Sequence, residues 1–234
     1  MITAIVFSFN DHKYIKECIA SLSFVNEVII VGKIKPSVLS ELKLLFPVQF
    51  VESNSIDFKQ LTEKARKNAT YKWMLTLEAN HRISKQLSQE LVEIASDAQA
   101  SGAYSTKTRF NFMGNWISFS GYKTNLKPLL FHANKKLTKS KTLIHAVEEI
   151  YLDFDSYNKR LTEKAKHKAA VLFSQQKKPN FLHFIWKPLW KMKINFIFKL
   201  GFLDGKKGFV LAYLKAFEEF KTYLFLWLMY RNLE

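Results

Sequence analysis

The first hundred residues alternate short, continuous apolar runs with stretches that are apolar on one side only. This alternation constrains the fold more than any other feature of the chain. Residues 2–9 (ITAIVFSF) have the length and continuity of a buried strand, and behind them Ile15, Cys18, Ile19 and Leu22 recur at helical spacing. Residues 27–31 (EVIIV) repeat the strand signal. Pro36, suited to a first helical turn, precedes an apolar stripe of Val38, Leu39, Leu42, Leu45 and Phe46. A third strand is expected at 48–51, a helix at 58–69 and a fourth strand at 73–77. Ser84 then caps a helix with Leu87, Leu91, Ile94 and Ala95 on one face. Strands that read as unbroken apolar runs are covered on both faces, so the pattern predicts an α/β, Rossmann-like fold: a mostly parallel sheet with helices on both sides. In such sheets ligands bind beyond the carboxyl ends of the strands. That directs attention to residues 8–11, 32–35 and 78–82.

From residue 102 the pattern changes. AYSTKTRFNF, NWISFSG and KPLLFH suggest short strands joined by turns, and a basic stretch, ANKKLTKSK, follows. A polar helix is expected at 157–176 and a linker at 177–179. The expected organisation is a first domain over 1–155 and a C-terminal helical extension over 156–234. The chain has 234 residues, with 36 Lys and Arg against 20 Asp and Glu, a formal net charge of +16. Such a charge favours anionic partners: nucleic acid, anionic lipid or phosphorylated substrates. No helix-turn-helix, zinc-finger spacing, ribonucleoprotein motif, Walker loop or G-x-S-x-G turn is present, and no nucleic-acid partner is expected. Cys18 is the single cysteine, which fits a reducing compartment. The amino-terminal run reads as a first buried strand and not as a signal peptide. No stretch reaches the roughly 18 unbroken apolar residues of a spanning helix.

The order IVFSFND, NEVIIV, WMLTLEANHRIS, FNFMGNWISFSGY, LIHAVEEI and FLDGKKGFVLAYLKAFEEFKTYLFLW resembles that of the family-two glycosyltransferases with the glycosyltransferase-A fold. Within them it is most similar to the lipopolysaccharide-core glucosyltransferase-like branch. The resemblance covers nearly the whole chain. It implies transfer of a sugar from a nucleotide sugar donor to a glycan or lipid-linked acceptor in cell-envelope glycan synthesis. It places Ser8, Asn10 and Asp11 near the nucleotide base, although these residues also suit an ordinary strand-ending turn. It places Glu78 and Asn80 at the donor diphosphate, where they are the candidate ligands of a divalent cation, Mg²⁺ or Mn²⁺. It points to His145 or Glu148 as the group that deprotonates the acceptor hydroxyl.

The chain departs from the family at several acidic positions together. Gly32 stands where an aspartate usually ends the second strand, with Lys33 and Lys35 nearby. Asn80 and His81 replace acids in the LDADE-like motif, and Asn125 and Ala146 replace downstream carboxylates. Glu78 is the nearest to a survivor. The alternative implied by this thinning is a catalytically inactive member of the fold that serves as a binding or scaffold partner.

Residues 177–231 hold 11 basic and 3 acidic side chains, interleaved with Phe, Trp and Ile. Tryptophan and lysine together suit a lipid headgroup layer, so an anionic membrane surface is an expected partner. A packed helical tail or an oligomer contact would use the same residues. The expected location is cytoplasmic and peripheral, at the inner face of the cytoplasmic membrane.

Overall fold

The computed structural model describes all residues except 10, 11, 56, 121–125, 134–139, 152 and 234. In chain order the elements are β1 (Ile2–Phe9), α1 (His12–Ala20), β2 (Glu27–Lys33), α2 (Pro36–Leu45), β3 (Val48–Glu52), α3 (Phe58–Arg66), β4 (Trp73–Glu78), β5 (His81–Arg82) and α4 (Lys85–Ser96). They continue with β6 (Ala103–Thr106), β7 (Thr108–Phe112), β8 (Asn115–Ile117), β9 (Lys127–His132), β10 (Ser140–Thr142), β11 (Val147–Tyr151), α5 (Phe154–Ser174), α6 (Phe181–Lys193) and α7 (Gly205–Tyr230).

These elements form two units: residues 1–109 with 125–150, and residues 110–124 with 151–234. The first is mixed α/β. Its seven-stranded sheet runs β10-β6-β9-β4-β1-β2-β3. The β1–β2, β1–β4, β2–β3 and β6–β10 pairs are parallel, and β9 runs antiparallel to β4 and β6. Every residue of β1 is buried, which is why its sequence shows no polar alternation. Ile2, Ala4 and Val6 point to a core shared with Ile15 of α1, Leu42 of α2 and Leu87 and Leu91 of α4. Ile5, Phe7 and Phe9 point to the opposite core, with Leu61 and Ala65 of α3. Helices therefore cover both faces. Ser84 caps α4 as its sequence suggests, accepting from the Leu87 N–H at 3.2 Å.

The second unit is built on the α5, α6 and α7 helices and on the hairpin of β7 and β8, where Asn111 lies opposite Trp116. Residues 110–124 and the chain from 151 onward group together through aromatic packing. Phe110, Phe112 and Ile117 share a core with Tyr151, Tyr157, Leu161, Leu211 and Leu214, so the hairpin groups with the C-terminal helices. The GFLDGKKG segment is explained by close backbone approach. Asp204 accepts from the Ser118 and Phe119 N–H groups at 3.1 and 3.0 Å. A Cβ on Gly208 would lie 1.8 Å from the Gly201 carbonyl oxygen.

Replacing glycine by alanine inside a helix ordinarily stabilises it by up to about 1 kcal/mol. At Gly208 the sign is reversed, because the new methyl meets backbone that cannot rotate away. Gly208→Ala is expected to cost about 1–3 kcal/mol in urea unfolding. A stabilised variant would show that this contact opens freely.

Candidate functional site

The sheet places one crevice where the chain reverses its winding. From β1 the chain passes through α1 to β2 on one side, and β4 joins β1 on the other. The carboxyl ends of β1 and β4 are therefore the switch point at which such sheets take ligands. The turn that leaves β4 there is fixed at nearly every backbone group. The Ala79 N–H donates to the Phe7 oxygen at 3.1 Å, and the Ile150 N–H donates to the Asn80 oxygen at 3.0 Å. Cys18 of α1 donates its thiol to the Glu78 oxygen at 3.6 Å. Burial pushes the Cys18 thiol up to about 12, so it stays protonated, a packing and donor group with no nucleophilic character. Arg82 folds back over the turn, donating to the Ala79 and His81 oxygens at 3.1 and 2.8 Å, and pairs with Glu17 of α1 at 2.6 Å.

This scaffold holds three polar side chains out of water: Glu78, Asn80 and His81 are all buried. The Glu78 N–H donates to His81 Nδ1 at 3.2 Å. That bond leaves Nε2 as the protonated nitrogen of a neutral ring. His81 Nε2 lies 3.9 Å from Glu149 Oε2, and the same carboxylate oxygen takes Lys127 Nζ at 2.8 Å. Antiparallel pairing of β5 with β11 sets Glu149 opposite His81 and Glu148 opposite Arg82. Alternation along β11 then buries Val147, Glu149 and Tyr151 and leaves Glu148 half-exposed, 3.5 Å from Arg109. Of the two adjacent glutamates, Glu149 reaches the buried polar cluster and Glu148 is turned to the other side of the strand.

The ends of β1 and β2 are also specified. Ser8 is buried and its hydroxyl donates to the Lys33 oxygen at 2.8 Å, so it ties the two strands together. A Cβ on Gly32 would lie 2.1 Å from the Ser8 oxygen, and the Gly32 φ of +126° is one that other residues rarely adopt. Glycine at this position is thus a steric requirement of the β1–β2 approach. Asn10 and Asp11, assigned to the nucleotide base by resemblance, lie outside the described residues, as does Asn125.

His145 is held by a residue that nothing in the sequence linked to it. Glu90 of α4 accepts from the Ile144 N–H at 2.7 Å, the His145 N–H at 3.0 Å and the His145 ring at Nδ1 at 2.9 Å. Thr106 secures the same turn by donating to the His145 oxygen at 2.7 Å. Since a carboxylate only accepts, Nδ1 donates in this bond, and Nε2 is the ring nitrogen left to exchange a proton with another group. Burial alone would raise the Glu90 pKa, but the two backbone N–H bonds and the His145 ring outweigh it and hold the carboxyl below its ordinary value. Nδ1 is therefore an acceptor in His81 and a donor in His145, as their partners dictate.

Glu78 and Asn80 do not make a convincing cation site. The Asn80 amide is 2% exposed, and its Nδ2 has no partner among the described residues. An orphaned N–H₂ group seeks an anion or a lone pair and repels a cation. His81 Nδ1 is already taken. Among the described residues no group of three His, Cys, Asp or Glu is placed to hold a metal ion. The donor set does not fit a hard divalent ion, which wants oxygen ligands and negative charge.

In the second unit, the exposed residues of α6 follow a strict spacing. Phe181, Ile185 and Leu189 form one row at i, i+4, i+8, and Leu182, Trp186 and Trp190 form the next; all six are exposed. Lys187, Lys191 and Lys193 lie on the same helix, and Lys193 sits 5.6 Å over the Trp190 ring. Among the described residues no helix is long and apolar enough to cross a membrane.

No family model matches the chain. Among solved structures it is similar to S. aureus TarS, with 12% identity and a TM-score of 0.47 over 90% of this chain and 47% of that one. It is also similar to TarS 1–349, with 11% identity and a TM-score of 0.47 over 99% and 91% of the two chains. A third is the mannosyltransferase PcManGT from Pyrobaculum calidifontis in complex with GDP-Man and Mn²⁺, with 12% identity and a TM-score of 0.46 over 93% and 73%. The chain thus spans about half the length of the longer TarS chain.

The Glu90 geometry has a pH signature. A carboxyl whose folded pKa is lowered contributes stability above its unfolded value of 4.5, and that contribution disappears as pH falls through the folded value. Protection of the Ile144 and His145 amides, relative to their intrinsic exchange rates, is expected to fall below pH 4.5, ahead of the amides of β1. Glu90→Ala is expected to remove that pH dependence and cost about 1–3 kcal/mol. Equal protection of Ile144 and His145 in Glu90→Ala and the parent would show that the carboxylate does not hold the turn.

Proposed function

We propose that this protein is glycosyltransferase-like. In this reading the first unit takes a nucleotide sugar in the crevice at the ends of β1 and β4 and delivers the sugar to a glycan or lipid-linked acceptor in cell-envelope glycan synthesis. The observation that carries the reading is the buried polar turn of Glu78, Asn80 and His81. Burying three polar side chains is costly, and a solvated loop would close this connection equally well. Their position at the switch point of an α/β sheet gives the cost a use. The order of motifs along the chain supports the same assignment, and the lipopolysaccharide-core-like branch of family two remains the finer form of the proposal.

The roles follow from the hydrogen-bond pattern. The Asn80 amide donates to the donor diphosphate, a role that suits an orphaned N–H₂ group. His145, with Nδ1–H held by Glu90, offers Nε2 as the base. The acceptor oxygen attacks the anomeric carbon while the bond from that carbon to the phosphate oxygen breaks. The hydroxyl proton passes to Nε2, and the nucleoside diphosphate leaves with the electron pair. Glu148 is the less suited base, because Arg109 faces it across the strands. Asn10 and Asp11 keep their proposed place near the base. The exposed rows of α6 support peripheral binding at the inner face of an anionic membrane, where a lipid-linked acceptor would be found.

A second reading, an inactive member of the fold acting as a binding partner, is favoured by one observation: the acids that would hold a cation are reduced to Glu78. Calorimetric titration of uridine and guanosine diphosphate sugars, with Mn²⁺ and with chelator, separates the two. The transferase reading expects one nucleotide class to bind, with chelator changing affinity by less than about twofold. It also expects His145→Ala to retain donor binding while transfer falls by about 10²–10⁴. Absence of binding to every donor, under both conditions, would establish the inactive reading.

A further inference from the structure

The second unit contains a cavity of about 300 Å³ that no role above uses. Lys177, Lys178 and Lys187 line it together with His183 and Tyr223, and Leu172 and Leu226 supply its apolar wall. Its charge belongs to a wider pattern: residues 164–203 contain nine lysines and no aspartate or glutamate.

Two of the lining groups are fixed. His183 closes a capping box at the start of α6. Its N–H donates to Asn180 Oδ1 at 3.0 Å, and its Nδ1 accepts from the Asn180 N–H at 3.1 Å. With Nδ1 occupied as acceptor, the ring proton sits on Nε2, which is the remaining donor. The ring stacks on Tyr223 at 4.7 Å and 10°. Burial, and then the charge of Glu219 one turn away, raise the Tyr223 pKa, so its hydroxyl stays protonated and able to donate. The lining residues thus carry three ammonium groups, one imidazole N–H and one phenol O–H.

We propose that this cavity binds a phosphate monoester carried by a membrane lipid. A monoester bears close to two negative charges at neutral pH and three terminal acceptor oxygens, which matches three lysines and two neutral donors. A phosphodiester, with one charge and two terminal oxygens, leaves part of that set unmatched. The lipid as carrier follows from the surroundings. Leu172 and Leu226 line the same cavity, and the exposed apolar rows of α6 begin at Phe181 and Leu182, the two residues before His183. This deepens the membrane reading given above and rests on it.

The test is flotation of the full chain with three vesicle types: phosphatidylcholine alone, and phosphatidylcholine with phosphatidic acid or phosphatidylglycerol at matched anionic charge. Binding to both anionic types is expected, about tenfold tighter for phosphatidic acid. In Lys178→Ala/Lys187→Ala, whose residues are exposed and not needed for packing, that preference disappears while binding to phosphatidylglycerol persists. Tyr223→Phe, which removes one donor and keeps the stacked ring, reduces the preference in part. Trp186→Glu/Trp190→Glu abolishes binding to every vesicle. Equal binding to the two anionic vesicles with no response of the His183 ring signals to inorganic phosphate, or a preference unchanged in the lysine variant, overturns the site but leaves the membrane reading intact. Failure to float with any vesicle overturns both. Saturation of the His183 ring signals by inorganic phosphate, without any vesicle preference, overturns the lipid as the carrier.

Discussion

β1 lies inside the parallel part of the sheet, paired with β2 on one side and with β4 on the other, and the candidate site depends on that arrangement. Its pairing with β2 is so close that Gly32 can carry no side chain, and the Ser8 hydroxyl bonds across to Lys33. Its pairing with β4 runs in register to Glu78, and the Phe7 oxygen continues the ladder one residue further, to Ala79. The turn after β4 is thus pinned by the sheet before any side chain is considered. Cys18, Arg82 and Ile150 then fasten its carbonyls. A backbone this fully bonded can hold Glu78, Asn80 and His81 out of water without collapsing around them.

Sharing of donors within this pinned frame sets the chemistry of each polar group. The two histidines show it most clearly. His81 accepts at Nδ1 from a backbone N–H and presents a protonated Nε2 toward Glu149. His145 donates at Nδ1 to Glu90. Neither role follows from the residue itself. Each is dictated by one neighbour, so a fold can give two histidines of a single unit different hydrogen-bonding roles.

Much of the architecture was legible in the chain because burial on both faces writes itself as an unbroken apolar run. β1, β2, β3 and β4 occur where those runs predicted, within one or two residues at their carboxyl ends. The Ser84 cap was legible because a capping residue announces a local event. The site was less so. Whether Glu148 or Glu149 faces the cluster depends on the register of β11 against β5, a long-range fact that VEEI does not contain. Glu90 is 55 residues from His145, and reads in isolation as one more polar residue on a helix. Gly32 looked like a lost aspartate, and only the 2.1 Å to the Ser8 oxygen shows that β2 itself demands glycine there. On α6 the mixture of aromatic and basic residues was plain, but which rows stay exposed depends on what the other helices cover.

If the chain lacks acids that the proposed family would place around the crevice, two electrostatic consequences follow, and they act in opposite directions. A carboxylate pair that binds a cation turns a repulsive pocket into an attractive one for a diphosphate, so removing one acid weakens the hold on the ion. Removing it also removes its own repulsion of the phosphates, and in a chain of net charge +16 the background field already favours an anion. Asn80 sits at the balance point. As an aspartate it would add a charge that needs a metal partner. As an asparagine it buries a donor with no partner among the described residues, the kind of group that a phosphate oxygen satisfies and a cation does not. The thinning of acids therefore does not by itself make the crevice inert. On the proposed reading, it changes the kind of group that the crevice holds.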